Sequence, residues 1–99
     1  MRNLTYAVAL GIGVLARAAP AHEAPSGWTY PRACCSGQDC YVIDARDVEV
    51  SPYGYRILAT GEVIAFDRAR SSPDGQFHRC SLGGKPTAPT TCLFVPAGA

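Results

Sequence analysis

The side chains in this sequence best equipped for chemistry are five cysteines, Cys34, Cys35, Cys40, Cys80 and Cys92, and two histidines, His22 and His78. Thiols can bridge to one another, hold a metal or act as nucleophiles, so spacing and context must choose between these. Three of the five fall within the stretch Cys34-Cys35-Ser36-Gly37-Gln38-Asp39-Cys40, and the other two lie far downstream. Neighbouring cysteines make poor partners, because their bond closes a small ring across a peptide unit that prefers to be planar and trans. In extended chain their side chains also point to opposite sides. Cys34 and Cys35 are therefore each expected to seek a partner among Cys40, Cys80 and Cys92. Five is odd, so one thiol is left over, and spacing alone does not decide among the fifteen arrangements. The preferred pairing is a short bridge from the vicinal pair to Cys40 with a long bridge from the pair to Cys80 or Cys92. The alternative joins Cys80 to Cys92 across a terminal hairpin and leaves Cys34 or Cys35 unpaired.

Four chemistries compete for these residues. The first is metal binding. His78 and Cys80 are two apart and face the same side of a strand, and cleavage before His22 would expose an amine next to an imidazole. His22 and His78 with that amine would suit copper, since nitrogen donors favour Cu(II). No CxxC…HxxxH spacing accompanies them, so the expectation is no cofactor, with copper as the alternative. The second is thiol redox chemistry at the odd cysteine, but CxxC and the strand–helix alternation around it are both missing. The third is hydrolysis by Ser72, Asp74 and His78. These lie within one turn and strand, with no nucleophile elbow beside them. The fourth is binding of an envelope protein or a glycan through aromatic side chains, with Trp28, Tyr30 and Tyr53 as candidates and Tyr41 and Tyr55 nearby. Trp28 and Tyr30 serve equally well as a cover for the core beside the cysteines.

The elements that must position these groups begin with an export signal. Met1-Arg2-Asn3 gives a short positive start, Leu4 to Ala16 is mostly apolar, and Ala19-Pro20-Ala21 has the small-x-small form of a cleavage site. As a helix the apolar run would be about 20 Å long, short of a bilayer core of about 30 Å, so no permanent membrane anchor is expected. Residues 1–21 therefore read as a signal peptide cleaved after Ala21, with cleavage after Ala18 as the alternative. Residues 22–99 read as one small Cys-rich β domain destined for the periplasm or secretion. The formal net charge of +1 turns negative once the signal is set aside, since seven basic side chains then face eight acidic ones. That leaves no basic patch for nucleic acid or anionic lipid. A chain this short buries only about 60% of its unfolded surface, and an oxidising compartment is where disulfides form to make up the difference.

From Cys40 onward the pattern is short strands and tight turns. His22 to Gly27 reads as a flexible lead-in, and Tyr41-Val42-Ile43 as a short strand. Residues 47–67 read as a three-strand meander, with Ser51-Pro52-Tyr53-Gly54 as a type I turn and a reversal at Gly61. Asp67 to Ser71 reads as a loop, and Ser72-Pro73-Asp74-Gly75 as a turn leading into a strand at Phe77-His78-Arg79-Cys80. Residues 81–90 are irregular, and Cys92-Leu93-Phe94-Val95 is a last strand stopped by Pro96. The fold class is mainly β: a disulfide-stabilised antiparallel meander with hairpins and an irregular N-terminal segment, preceded by a signal helix.

Trp28-x-Tyr30, Cys34-Cys35-x4-Cys40 with Asp39, Ser72-Pro73-Asp74-Gly75-x-Phe77-His78-x-Cys80, and Cys92-x-Phe94 with Pro96 occur together here. In this combination, over about residues 28–96, the chain resembles a group of small, uncharacterised exported alphaproteobacterial proteins. The resemblance implies a periplasmic or secreted protein with these five cysteines, and no activity. Members of that group often place a histidine close to the aromatic pair, whereas His22 stands six residues before Trp28. The resemblance therefore assigns His22 no role. These observations favour a disulfide-held binding or structural module of the cell envelope without catalysis of its own. A periplasmic metal-binding protein is the alternative and a thiol redox protein the third reading.

Overall fold

A computed structural model describes residues 22–35 and 37–99, so the expected signal peptide over residues 1–21 lies outside the described residues. Among the described residues seven short strands carry the fold: β1 (Cys40–Ile43), β2 (Val48–Ser51), β3 (Gly54–Ile57), β4 (Val63–Ile64), β5 (Arg70–Ser71), β6 (Phe77–Ser81) and β7 (Thr90–Val95). They form a four-stranded sheet in the order β1-β6-β7-β5 and a three-stranded sheet in the order β2-β3-β4. All pairings are antiparallel except that of the two-residue β5 with β7.

The two-residue period of a strand sorts the larger sheet into two faces. Cys40 lies opposite Cys80, and His78 and Cys80 lie opposite Phe94 and Cys92, so these residues share one face. On it packs the N-terminal segment, giving a buried cluster of Ala24, Tyr30, Cys34, Cys35, Cys40, Cys80 and Phe94 flanked by Trp28 and Cys92. Tyr41, Ile43, Phe77, Arg79, Leu93 and Val95 share the other face, which meets the three-stranded sheet. There Ile43 and Leu93 pack with Val48, Tyr55, Ile57 and Ile64. Strand β6 is therefore covered on both sides, and His78, Arg79, Cys80 and Ser81 are all fully buried. A strand buried on both faces loses the polar alternation of a half-exposed one.

The meander expected over residues 47–67 is present as β2-β3-β4, with shorter strands than the sequence pattern indicates. Strand β3 stops at Ile57 because its carbonyl accepts from the N–H groups of Thr60 and Gly61, which closes a tight turn. Phe66 leaves β4 for a 3-10 turn, Phe66–Arg68, and stands 47% exposed. In the turn after β2, the Ser51 hydroxyl oxygen accepts from the N–H groups of Tyr53 and Gly54. Gly54 is required for space, since a Cβ there would sit 2.2 Å from the Ile64 carbonyl oxygen.

Three expectations change. The stretch Asp67 to Ser71, expected as a loop, ends in the two-residue strand β5, which pairs with β7. The segment His22 to Gly27 is a small hairpin and not a lead-in: Glu23 bridges Thr29, and the N–H groups of Ala24 and Tyr30 donate to the carbonyls of Trp28 and His22. Ala24 is buried within it at 4% exposure. The cysteine pairing also differs. The bridges are Cys34–Cys92 and Cys40–Cys80, and Cys35 is free and buried. The long bridge from the vicinal pair is present, but no short bridge from the pair to Cys40 forms. Cys40 lies directly across the β1–β6 ladder from Cys80 and is taken there. The two disulfides place the folded chain in an oxidising, extracytoplasmic environment.

The charge of Arg79, buried between the sheets, is fully met. Its guanidinium donates to the Tyr41 and Thr90 hydroxyls and to the carbonyls of Pro86 and Ala88, and it pairs with Glu62 at 3.5 Å. Burial works to raise the Glu62 carboxyl, but hydrogen bonds from Thr90 and Thr60, with the Arg79 charge, outweigh it and hold it below the usual range. A buried charge is tolerated where its donors are satisfied in this way.

Candidate functional site

The functional side chains of the covered face form a connected buried chain. Asp74 sits in the loop between β5 and β6, His78 one turn of sequence later on β6, and Tyr30 at the end of the N-terminal hairpin. Asp74 Oδ1 lies 2.8 Å from His78 Nε2, and His78 Nδ1 lies 2.8 Å from the Tyr30 hydroxyl. The carboxylate can only accept, so Nε2 carries the proton facing it. In the neutral imidazole Nδ1 then accepts from the Tyr30 O–H. The Asp74 carboxylate also receives the hydroxyls of Ser26 and Ser72 and the N–H of Gln76. The His78 hydrogen bond, supported by those donors, holds its carboxyl far below the ordinary value despite partial burial. Burial, and then the nearby Asp74 and Cys35, push the Tyr30 phenol up to about 12.

The hairpin brings a second pair into the same place. His22 stands half-buried, its ring 5.3 Å from that of Tyr30, and its Nδ1 lies 3.3 Å from Cys35 Sγ. The Cys35 thiol also reaches the Gly37 carbonyl at 3.1 Å. Trp28 packs edge-on against Tyr30, His78 and Phe94, at centroid distances of 4.9, 5.0 and 5.0 Å. A thiol beside an imidazole has the makings of an activated nucleophile, but Cys35 is only 1% exposed.

The residues expected to do chemistry are therefore largely brought together, in roles other than those their spacing suggested. His78 and Cys80 do share a face, but Cys80 is in a disulfide and both ring nitrogens of His78 are hydrogen-bonded. A metal at His78 would have to displace Tyr30 or Asp74. No group of three or more side chains suited to hold a metal occurs among the described residues. The Ser72 hydroxyl points at the Asp74 carboxylate, so Ser72, Asp74 and His78 do not form a serine–histidine–aspartate relay. Tyr30 is buried at 1% exposure and Trp28 half-buried, which fits the core-cover reading, while Tyr53 is 81% exposed at its turn. The sequence reading set Asp74 beside His78 only within a hydrolytic trio, and it missed Tyr30 as the second partner of His78. The available signal was Asp74-x3-His78, which brings the carboxylate back over the strand after a tight turn.

Among the described residues, β1 is the end strand of the larger sheet, with Cys40 and Ile43 buried. Three grooves run beside it, of about 390, 410 and 620 Å³, and Val42 lines all of them. The second is walled by His22, Glu23 and Tyr30. Leu58 and Asp47, from the ends of the meander, border the third. No helix among the described residues is long and apolar enough to cross a membrane. Comparison with protein-family profiles, with curated proteins and with solved structures finds no match to the chain.

Proposed function

We propose that this chain is an exported binding or structural module of the cell envelope, resident in the periplasm or released from the cell. The observation that carries this reading is the use made of the covered face. The Cys34–Cys92 disulfide and the Asp74–His78–Tyr30 chain join the N-terminal segment to the sheet, and Cys40–Cys80 ties β1 to β6, so that face is engaged in holding the fold together. What remains for function is the outer surface, with Tyr53 and the edge of β1. The test is fractionation of a bacterium expressing the tagged chain, with thiols blocked at lysis. The reading expects the protein in the osmotic-shock fraction or the medium, carrying one alkylatable thiol after denaturation. Recovery from the cytoplasm with five alkylatable thiols would overturn it.

The 3.3 Å contact of His22 with Cys35 supports a second reading, thiol chemistry at Cys35. It expects the native protein to react with a small alkylating reagent in the absence of denaturant, at a rate that falls in His22→Ala. A thiol that reacts only after unfolding removes it.

A further inference from the structure

We propose that the mature N-terminus carries a zinc site, made by the α-amine and Nδ1 of His22 and the Sγ of Cys35. The proposal goes beyond the binding-module reading and rests on its export clause, because the amine exists only once the signal is cut after Ala21. The copper alternative drawn from the sequence joined His22 to His78, but both ring nitrogens of His78 are taken by Tyr30 and Asp74. Cys35 stands in its place, with its sulfur 3.3 Å from His22 Nδ1. Two side chains and one terminal amine make three donors, which leaves the fourth corner of a tetrahedron for water.

His22 is held in place. Its carbonyl accepts from the Tyr30 N–H at 3.0 Å, and its ring leans on that of Tyr30 while Nδ1 meets Cys35. A histidine that begins a chain can bind one ion through its amine and Nδ1 together, because both belong to one residue and close a small chelate ring. Nitrogen and sulfur on one zinc, at about 2.0–2.1 and 2.3 Å in tetrahedral geometry, stand about 3.6 Å apart. The 3.3 Å contact therefore has to open by only about 0.3 Å to admit the ion. His22 also borders the groove of about 410 Å³ shared with Glu23 and Tyr30, so the ion and its water have room on that side.

The state of the thiol agrees with this role. Cys34 pairs with Cys92 and Cys40 with Cys80, so Cys35 is the one cysteine left unbridged, and at 1% exposure it is shielded from oxidants. Its S–H donates to the Gly37 carbonyl at 3.1 Å, which leaves the sulfur lone pairs for the His22 side. Binding exchanges that proton for the metal, since the thiolate is the ligand. Sulfur in place of a second imidazole moves the preference from Cu(II) to zinc.

The test uses the exported, disulfide-intact protein, with its first residue fixed by intact mass, and zinc alone titrated against a chromophoric chelator. The expected result is one zinc per chain. Outer-shell partners of a metal are each worth about 10–100-fold in affinity, so loss of a ligand itself, in Cys35→Ser or His22→Ala, should weaken binding at least tenfold. A chain that keeps Ala21 ahead of His22 should weaken it likewise. Cobalt(II) in place of zinc should give a thiolate-to-metal charge-transfer band in the near ultraviolet, absent in C35S. Both disulfides persist in C35S, so its fold is retained; should His22→Ala not fold, the cobalt band of the wild-type protein decides. No zinc on a chain that begins at His22, equal affinity in folded C35S, or a cobalt complex without the thiolate band overturns the proposal. So does a mature chain that begins at another residue, which puts the amine elsewhere. An exported chain without zinc refutes the site alone, whereas recovery from the cytoplasm with five thiols refutes the envelope reading, so the two failures are told apart.

Discussion

Replacing Tyr30 with phenylalanine removes one oxygen from the covered face and leaves the ring. The ring contacts with Trp28, His22 and Phe94 are kept, so the change is confined to the hydrogen bond from the hydroxyl to His78 Nδ1, 2.8 Å long. His78 has 0% exposure, so no water replaces the lost donor and a buried acceptor is left unsatisfied. Such a group costs about 1–3 kcal/mol. In urea, a domain of this size unfolds with a slope of roughly 1 kcal/mol per molar, so Y30F is expected to lower the midpoint by about 1–3 M at pH 7. The assay is equilibrium unfolding of the disulfide-intact protein, followed by far-ultraviolet circular dichroism. A double-mutant cycle isolates the bond. In a His78→Leu background the acceptor is gone, so Y30F should then cost much less, with a coupling on the order of 1–2 kcal/mol. A Y30F midpoint within error of wild type, or equal costs of Y30F in both backgrounds, would refute the buried hydrogen-bonded chain.

Three further outcomes follow from the same structure. Cys40→Ala with Cys80→Ala opens a loop of sequence separation 40, for which chain entropy gives about 4 kcal/mol. Total stability at this size is on the order of 4–12 kcal/mol, so the double variant should lose a third or more of it and melt well below wild type, as measured by thermal circular dichroism. Asp74 and Glu62 have depressed carboxyl values, so their contribution is complete above pH about 4 and is lost as pH falls below it. Tyr30 acts oppositely: with its phenol raised to about 12, the unfolded chain releases that proton first and stability falls between pH 10 and about 12. Urea midpoints against pH should show both limbs, and Y30F should flatten the alkaline one. Gly54→Ala puts a Cβ 2.2 Å from the Ile64 carbonyl oxygen, so it should disrupt the β3–β4 pairing, whereas Gly61→Ala meets nothing within 4 Å and pays only for its φ of 79°. A thermal midpoint for Gly54→Ala no lower than that of Gly61→Ala contradicts this packing.

The mainly β class and the β2-β3-β4 meander were legible because turn chemistry at Ser51-Pro52-Tyr53-Gly54 and strand alternation agree locally. The cysteine pairing was not, because it depends on which strands lie side by side. Cys40 and Cys80 meet only through the β1–β6 register, forty residues apart in sequence. The N-terminal hairpin was also hidden, since Pro25, Ser26 and Gly27 carry the composition of a loose end. Its order comes from packing against His78 and Phe94 and from the Ser26 bond to Asp74. Ser72-Pro73-Asp74-Gly75 was correctly placed as a turn, but that reading concealed the second role of Asp74. One carboxylate both closes the turn, through Ser72 and Gln76, and fixes His78. That β1 ends the larger sheet among the described residues is a property of sheet order and has no sequence signature.

The claim on which the account stands is that two long-range disulfides, one clamping the N-terminal cover onto β7 and one joining β1 to β6, leave Cys35 as the thiol. Peptide mapping of the non-reduced protein from its native compartment by mass spectrometry tests it most directly. The account predicts linked peptides for Cys34–Cys92 and Cys40–Cys80 and an alkylated Cys35. A dominant Cys80–Cys92 or Cys35–Cys40 linkage would contradict it.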